Sequence, residues 1–140
     1  MASIFTRIID GDLPGTFLWR DDRCVAILSI SPLHTGHALV VPRAEVDHWI
    51  DLEPELSSHL FEVARTIGRA QQAAFEPAKI ALMVVGVEVP HTHLHVVPFD
   101  SAAELNFALA DPSPPEGSLA AAAVAIRSAL RDLGAEHVSD

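Results

Sequence analysis

The segment Pro90-His91-Thr92-His93-Leu94-His95-Val96-Val97-Pro98 holds the residues best suited to chemistry. Side chains alternate faces along a strand, so His91, His93 and His95 share one face, at steps of about 6.6–7 Å. Thr92, Leu94 and Val96 then point to the opposite face and read as core. A neutral imidazole is one donor and one acceptor, so three rings on one face need partners, solvent or a task. Three readings follow from the residue types. The strand can be a solvated surface. The rings can converge on zinc, with Glu88 or His37 completing the ligand set. Or one ring attacks phosphorus while its neighbours orient it and bind phosphate oxygens. Proline at both ends fits a short strand at a sheet edge or beside a pocket.

The rest of the chain limits which of these can operate. Its 140 residues make one domain over 1–140, and 49% apolar with 20% charged residues is a globular balance. Cys24 is the only cysteine, which excludes an internal disulfide and a multi-cysteine metal site. That usage fits a reducing compartment. No run approaches the ~18 apolar residues of a membrane span, and no basic-then-apolar leader opens the chain. A soluble, cytoplasmic protein with no membrane partner is expected. Nine Lys and Arg against 19 Asp and Glu give a formal charge of −10, which argues against a nucleic-acid polymer as partner. A small phosphorylated ligand remains compatible, because one pocket can be donor-rich on an acidic protein.

The elements that must position these histidines are legible from pattern. Ser3 caps a short helix with an apolar face of Ile4, Phe5, Ile8 and Ile9, ending at Gly11. Strands are expected over 16–19, 24–30 and 37–41, the first two joined as a hairpin by Asp21-Asp22-Arg23. Leu56, Leu60, Val63, Ile67, Ala70 and Ala74 mark the core stripe of a long helix over 54–75, with Pro54 in its first turn. Strands over 80–85 and 92–97 follow, then a Pro-rich irregular stretch and a final helix from about Ser118. This order implies an α+β fold: a mostly antiparallel five-stranded sheet with one long helix, a short N-terminal helix and a C-terminal helix.

The run His91-Thr92-His93-Leu94-His95-Val96-Val97 resembles the histidine-triad family of nucleotide hydrolases and transferases, in its small Hint-like branch. The likeness extends upstream through Ile4-Phe5, Ile8-Ile9, Gly11, Leu13-Pro14, Asp21-Asp22, Val25-Ala26, Ile30-Ser31-Pro32 and Gly36-His37 to Leu39-Val40-Val41-Pro42, and covers about residues 3–99. It implies that His93 is the nucleophile on an α-phosphorus, forming a covalent nucleotidyl-imidazole that water hydrolyses. His95 would contact phosphate oxygens, the His91 carbonyl would fix the nucleophile's tautomer, and His37 would support the cluster. Phe5, Ile8 and Ile27 match the apolar wall for the nucleoside. Ser29 stands where the family carries a ribose-binding aspartate, and Glu88 where a serine donor precedes the triad.

Some members hold structural zinc through Cys-x-x-Cys in the opening helix. Ser3 and Thr6 occupy those positions and Glu45 the place of a histidine, so neither metal nor cofactor is expected. The resemblance further implies a homodimer through the long helix and an edge strand. The reading is a hydrolase or nucleotidyl transferase of a small nucleotide-like substrate, a phosphoramidate or phosphoanhydride. The alternatives are a catalytically weak nucleotide-binding or regulatory protein and a His-ligated metalloprotein.

Overall fold

The computed structural model describes residues 1–140. Helix α1 spans Ile4–Ile9, and the Ser3 hydroxyl accepts from Thr6 N–H at its N-terminus. Strands β1 (Phe17–Arg20), β2 (Cys24–Leu28) and β3 (Ala38–Pro42) follow, then the long helix α2 (Pro54–Phe75). Strands β4 (Lys79–Met83) and β5 (Leu94–Phe99) precede two short 3-10 turns, Ala102–Glu104 and Phe107–Leu109, and helix α3 (Ser118–Asp132). All strand pairs are antiparallel, in the order β1-β2-β3-β5-β4. The α+β architecture is the expected one.

Alternation along the strands divides the interior in two. Ala26, Leu28, Ala38, Val40, Leu94 and Val96 face α2 and α3 and form the larger core with Leu60, Val63, Ile67, Ile126 and Leu130. Val25, Ile27, Leu39 and Val41 face the other way and are covered by Phe5 of α1 and by Phe17. Both sheet faces are therefore buried over β2 and β3, which explains their continuous apolar runs. His95 lies on the α1 side of the sheet, between the buried alternates Leu94 and Val96.

Two details set the histidine segment. Its strand begins at Leu94 rather than at Thr92, because Thr92 is already committed elsewhere. Thr92 donates both its N–H and its hydroxyl to the Val46 carbonyl, at 2.7 Å each. Pro98 is tolerated inside β5 because pairing with β3 stops at Val96, leaving only Ile80 of β4 opposite the proline. Gln71 of α2 is fully buried, and its Nε2 donates to the carbonyls of Gly36 (2.9 Å) and Val96 (2.8 Å). One side chain thus ties the long helix to the loop before β3 and to β5. Gly36 needs its glycine: φ is +87°, and an added Cβ would lie 2.3 Å from the Phe75 ring.

Candidate functional site

His91 and His93 sit on the extended segment entering β5, and His95 on β5 itself. His91 is fully buried and spends both ring nitrogens on structure. Its Nε2–H donates to the Pro42 carbonyl (2.7 Å), and its Nδ1 accepts from the Ser3 hydroxyl (2.6 Å). The His91 carbonyl in turn accepts from Nδ1–H of His93 at 2.8 Å. In neutral His93 this bond places the proton on Nδ1 and leaves a lone pair on Nε2. His93 is 8% exposed and lines a cavity.

A second chain of bonds sets the neighbouring tautomer. The Leu33 N–H donates to Nδ1 of His37 (3.0 Å), so neutral His37 carries its proton on Nε2. That Nε2–H donates to Nδ1 of His95 (2.9 Å), which leaves the His95 proton on Nε2. A backbone amide thereby makes His95 a donor beside the His93 ring and its free Nε2 lone pair, with ring centroids 5.0 Å apart. Charge state agrees with this assignment. Burial, then the neighbouring His95, lowers the His37 pKa to about 3. Burial, then His93, lowers that of His95 to about 4. His93 is also lowered, mainly by burial, the His91 carbonyl partly opposing. All three rings are neutral at pH 7.

His37, His93 and His95 open onto a cavity of about 340 Å³ that Ser29, Ser31, Val85, Gly86, Val87, Glu88, Phe107 and Ala110 complete. Ser29 therefore lies at the site, its hydroxyl accepting from Ser31 N–H at 3.2 Å. Glu88 lies there too, exposed on the rim. No lysine or arginine lines the cavity. Phe5 packs on the His91 and His93 rings, with centroids at 5.7 and 4.8 Å, and Ile8 and Ile27 extend that apolar cluster. These three back the histidines and are not among the cavity's lining residues.

Several contributors escape a reading of the sequence. Phe107 sets its ring edge-on to His95, 5.0 Å away, from a stretch of Pro, Ser and Ala that looks like a tail. Its aromatic character in that stretch was the available signal. The Leu33 amide and the buried Gln71 offer none, since a backbone donor is invisible and glutamine is usually exposed.

Ser3, Thr6, Glu45 and His91 meet at the base of α1. Besides Ser3 to His91, the Thr6 hydroxyl donates to Glu45 Oε1 (2.6 Å), which also accepts from Ser3 N–H. These bonds hold Glu45 below the usual carboxylate range. A separate buried cluster surrounds Asp21, whose carboxylate accepts from Trp19 Nε1 (2.8 Å), His59 Nε2 (2.7 Å) and the amides of Arg23 and Cys24. Every oxygen there is engaged, and burial pushes the Cys24 thiol up, away from the thiolate a metal would need.

Comparison with known proteins agrees with this architecture. Residues 10–102 match the model of the HIT domain. The hit protein of Bacillus subtilis is 32% identical over 100 residues, covering 68% of this chain and 69% of that one. An Arabidopsis thaliana adenylylsulfatase, HINT3, is 29% identical over 100 residues, and this chain spans 51% of its length. Among solved structures, a Zn-bound histidine triad family protein from Mycobacterium smegmatis superposes with a TM-score of 0.81 at 27% identity, covering 96% of each chain. A Hit-like protein from Bartonella henselae gives 0.78 at 25% identity, covering 91% of this chain and 95% of that one. The donors around His91 do not suit zinc. Two neutral hydroxyls replace thiolates, and the one carboxylate already accepts from Ser3 and Thr6.

Proposed function

The chain belongs to the HIT family, and from that premise we propose that it hydrolyses or transfers small nucleotide-like substrates through a covalent intermediate on His93. The main support is the pairing of tautomers across the cavity: a lone pair on His93 Nε2 and an N–H on His95 Nε2. The nitrogen attacks phosphorus, and the bond from phosphorus to the leaving oxygen or nitrogen breaks. The leaving atom takes its proton from water, or departs as an anion when it belongs to a phosphate. Water then attacks the phosphoryl-imidazolium, the P–Nε2 bond breaks, and His93 returns neutral with its proton still on Nδ1. A phosphomonoester is released, and the proton lost by the attacking water goes to solvent, where it neutralises any hydroxide formed when the leaving atom was protonated. The His95 N–H stabilises charge on the non-bridging oxygens throughout.

Rapid quenching with a nucleoside 5′-phosphoramidate, followed by intact-mass measurement, tests this. The expected result is a nucleoside-monophosphoryl adduct on the wild-type chain that disappears in His93→Ala. Turnover without an adduct, kept in His93→Ala, would refute it. A second reading, a nucleotide-binding module with weak turnover, draws on Glu88 at the rim and on Ser29 at the family's aspartate position. Tight binding without turnover would establish that reading.

The same family premise supports a homodimer. β4 is an edge strand, and an apolar groove of about 490 Å³ lies between it and α2, lined by Trp49, Leu52, Leu60, Phe61, Leu82 and Val84 among others. Phe61 and Leu82 are 58% and 42% exposed in the single chain, a surface that two-fold pairing would cover. Sedimentation should give twice the 15.0 kDa chain mass, and Leu82→Lys should return it to one. A 15.0 kDa species from the wild type at micromolar concentration refutes the dimer.

A further inference from the structure

The cavity beside His93 has an unusual charge balance for a site that receives phosphate. No lysine or arginine lines it, and its histidines are neutral at pH 7. Its one formal charge is the carboxylate of Glu88, on the short loop between β4 and the histidine segment. Glu88 is exposed and forms no ion pair with any cation of the chain. The neighbouring rim is apolar and also exposed. Val85 and Val87 are 53% and 86% exposed, and Phe107 presents a half-exposed ring across the cavity. An unpaired carboxylate among exposed aliphatic and aromatic groups matches one ligand type, an alkyl chain carrying an ammonium group. The chain packs on the valines, while the cation meets the carboxylate and the aromatic face.

We propose that Glu88, with Val85, Val87 and Phe107, selects the leaving group: the site takes substrates whose leaving group is an aminoalkyl cation and rejects those whose leaving group is a phosphate chain. This rests on the reading of His93 as the phosphorus-attacking residue, but it concerns the far side of the scissile bond. A monoanionic phosphoramidate of a diamine brings one negative charge to His95 and one positive charge to Glu88. A dinucleoside polyphosphate brings several negative charges to a cavity holding one carboxylate and no fixed cation. Repulsion from the Glu88 carboxylate then opposes binding in ground and transition states alike.

The test compares three adenosine 5′-phosphoryl compounds: the amidate of 1,4-diaminobutane, the amidate of n-butylamine, and diadenosine triphosphate. Wild-type kcat/KM should favour the diamine amidate over the butylamine amidate by about tenfold, with the triphosphate lowest. Glu88→Gln should bring the two amidates to within about twofold, and Glu88→Lys should invert the order in favour of the triphosphate. Equal kcat/KM for the two amidates in the wild type, or a preference that survives Glu88→Gln, overturns the proposal. Binding to His93→Ala and to the double variant His93→Ala/Glu88→Gln, read by calorimetry, separates selection from catalysis. If the wild type turns over none of the compounds but His93→Ala binds the diamine amidate more tightly in a Glu88-dependent way, selection stands and the covalent reading falls. If neither protein distinguishes the amidates, selection falls whatever the turnover.

Discussion

The Nε2 of His37 lies 2.9 Å from the Nδ1 of His95, and the Leu33 amide, 3.0 Å from the other His37 nitrogen, settles which of them holds the proton. His37 therefore acts through His95. It orders the tautomer that points an N–H at the cavity, without belonging to the triad motif.

Replacing His37 should thus damage chemistry more than its position suggests. In His37→Ala, His95 is free to carry its proton on Nδ1 and present a bare nitrogen to the phosphate. We expect kcat/KM to fall by about 10²-fold, in the range of a lost oxyanion donor. In His37→Gln, a side-chain amide can still donate to His95 Nδ1, and part of the activity should return. Equal loss in both variants would mean that His37 serves packing alone.

Two site histidines and one outside the cavity should separate kinetically. His93→Ala should abolish turnover yet keep nucleotide affinity within about tenfold, roughly 1.4 kcal/mol, because the proposed covalent bond would exist only beyond the ground state. His95→Ala should weaken both binding and turnover, since in the proposed mechanism its N–H would meet phosphate at every stage. His34→Ala, whose ring faces Asp100 and Glu104 outside the cavity, should change neither. Steady-state kinetics with calorimetric titration of a nucleoside monophosphate reads all three.

Stability should fall in acid, over a window set by the buried rings. The native-state pKa values of His37 and His95, about 3 and about 4, lie below the unfolded value near 6.5. Between those limits the unfolded chain binds more protons than the native one, so stability rises with pH from about 4 to about 6.5. It is lost as pH falls through that range. Asp21, held well below the usual carboxylate range despite its burial by hydrogen bonds from Trp19, Arg23, Cys24 and His59, adds a loss in the same direction only below the ordinary carboxylate pKa. Urea midpoints at pH 7.0, 5.5 and 4.5 should fall in that order. A flat profile would place these rings in solvent.

The hydrogen-bonded base of α1 gives the fourth prediction. Ser3 both caps the helix and donates to Nδ1 of His91, so Ser3→Ala should cost about 1 kcal/mol for the cap alone. It should also lower kcat more than it raises KM, because His91 holds the carbonyl that orients His93. EDTA should leave the Tm unchanged, since hydroxyls and a carboxylate occupy these positions. A drop of several degrees in EDTA would reveal a metal contribution to folding.

The pattern of the chain carried the elements and the sheet faces. The 4-3-4-3-4 stripe from Leu56 to Ala74 placed α2 at Pro54–Phe75, and alternation placed Leu94 and Val96 in the core opposite His95. Such features are local, because periodicity follows from one element's contact with one core. The spacing of His91, His93 and His95 put the three on one short segment, but only His93 and His95 line the cavity. Their division of labour was decided in three dimensions. His91 became structural because Pro42 and Ser3, 49 and 88 residues away, take its two nitrogens. His95 became a donor because a loop amide fixes His37. Phe107 reached the cavity because the chain beyond β5 folds back, with Asp111 N–H donating to the Pro32 carbonyl. A proton's position depends on whichever partner the fold brings within 3 Å, and no spacing along the chain encodes that partner.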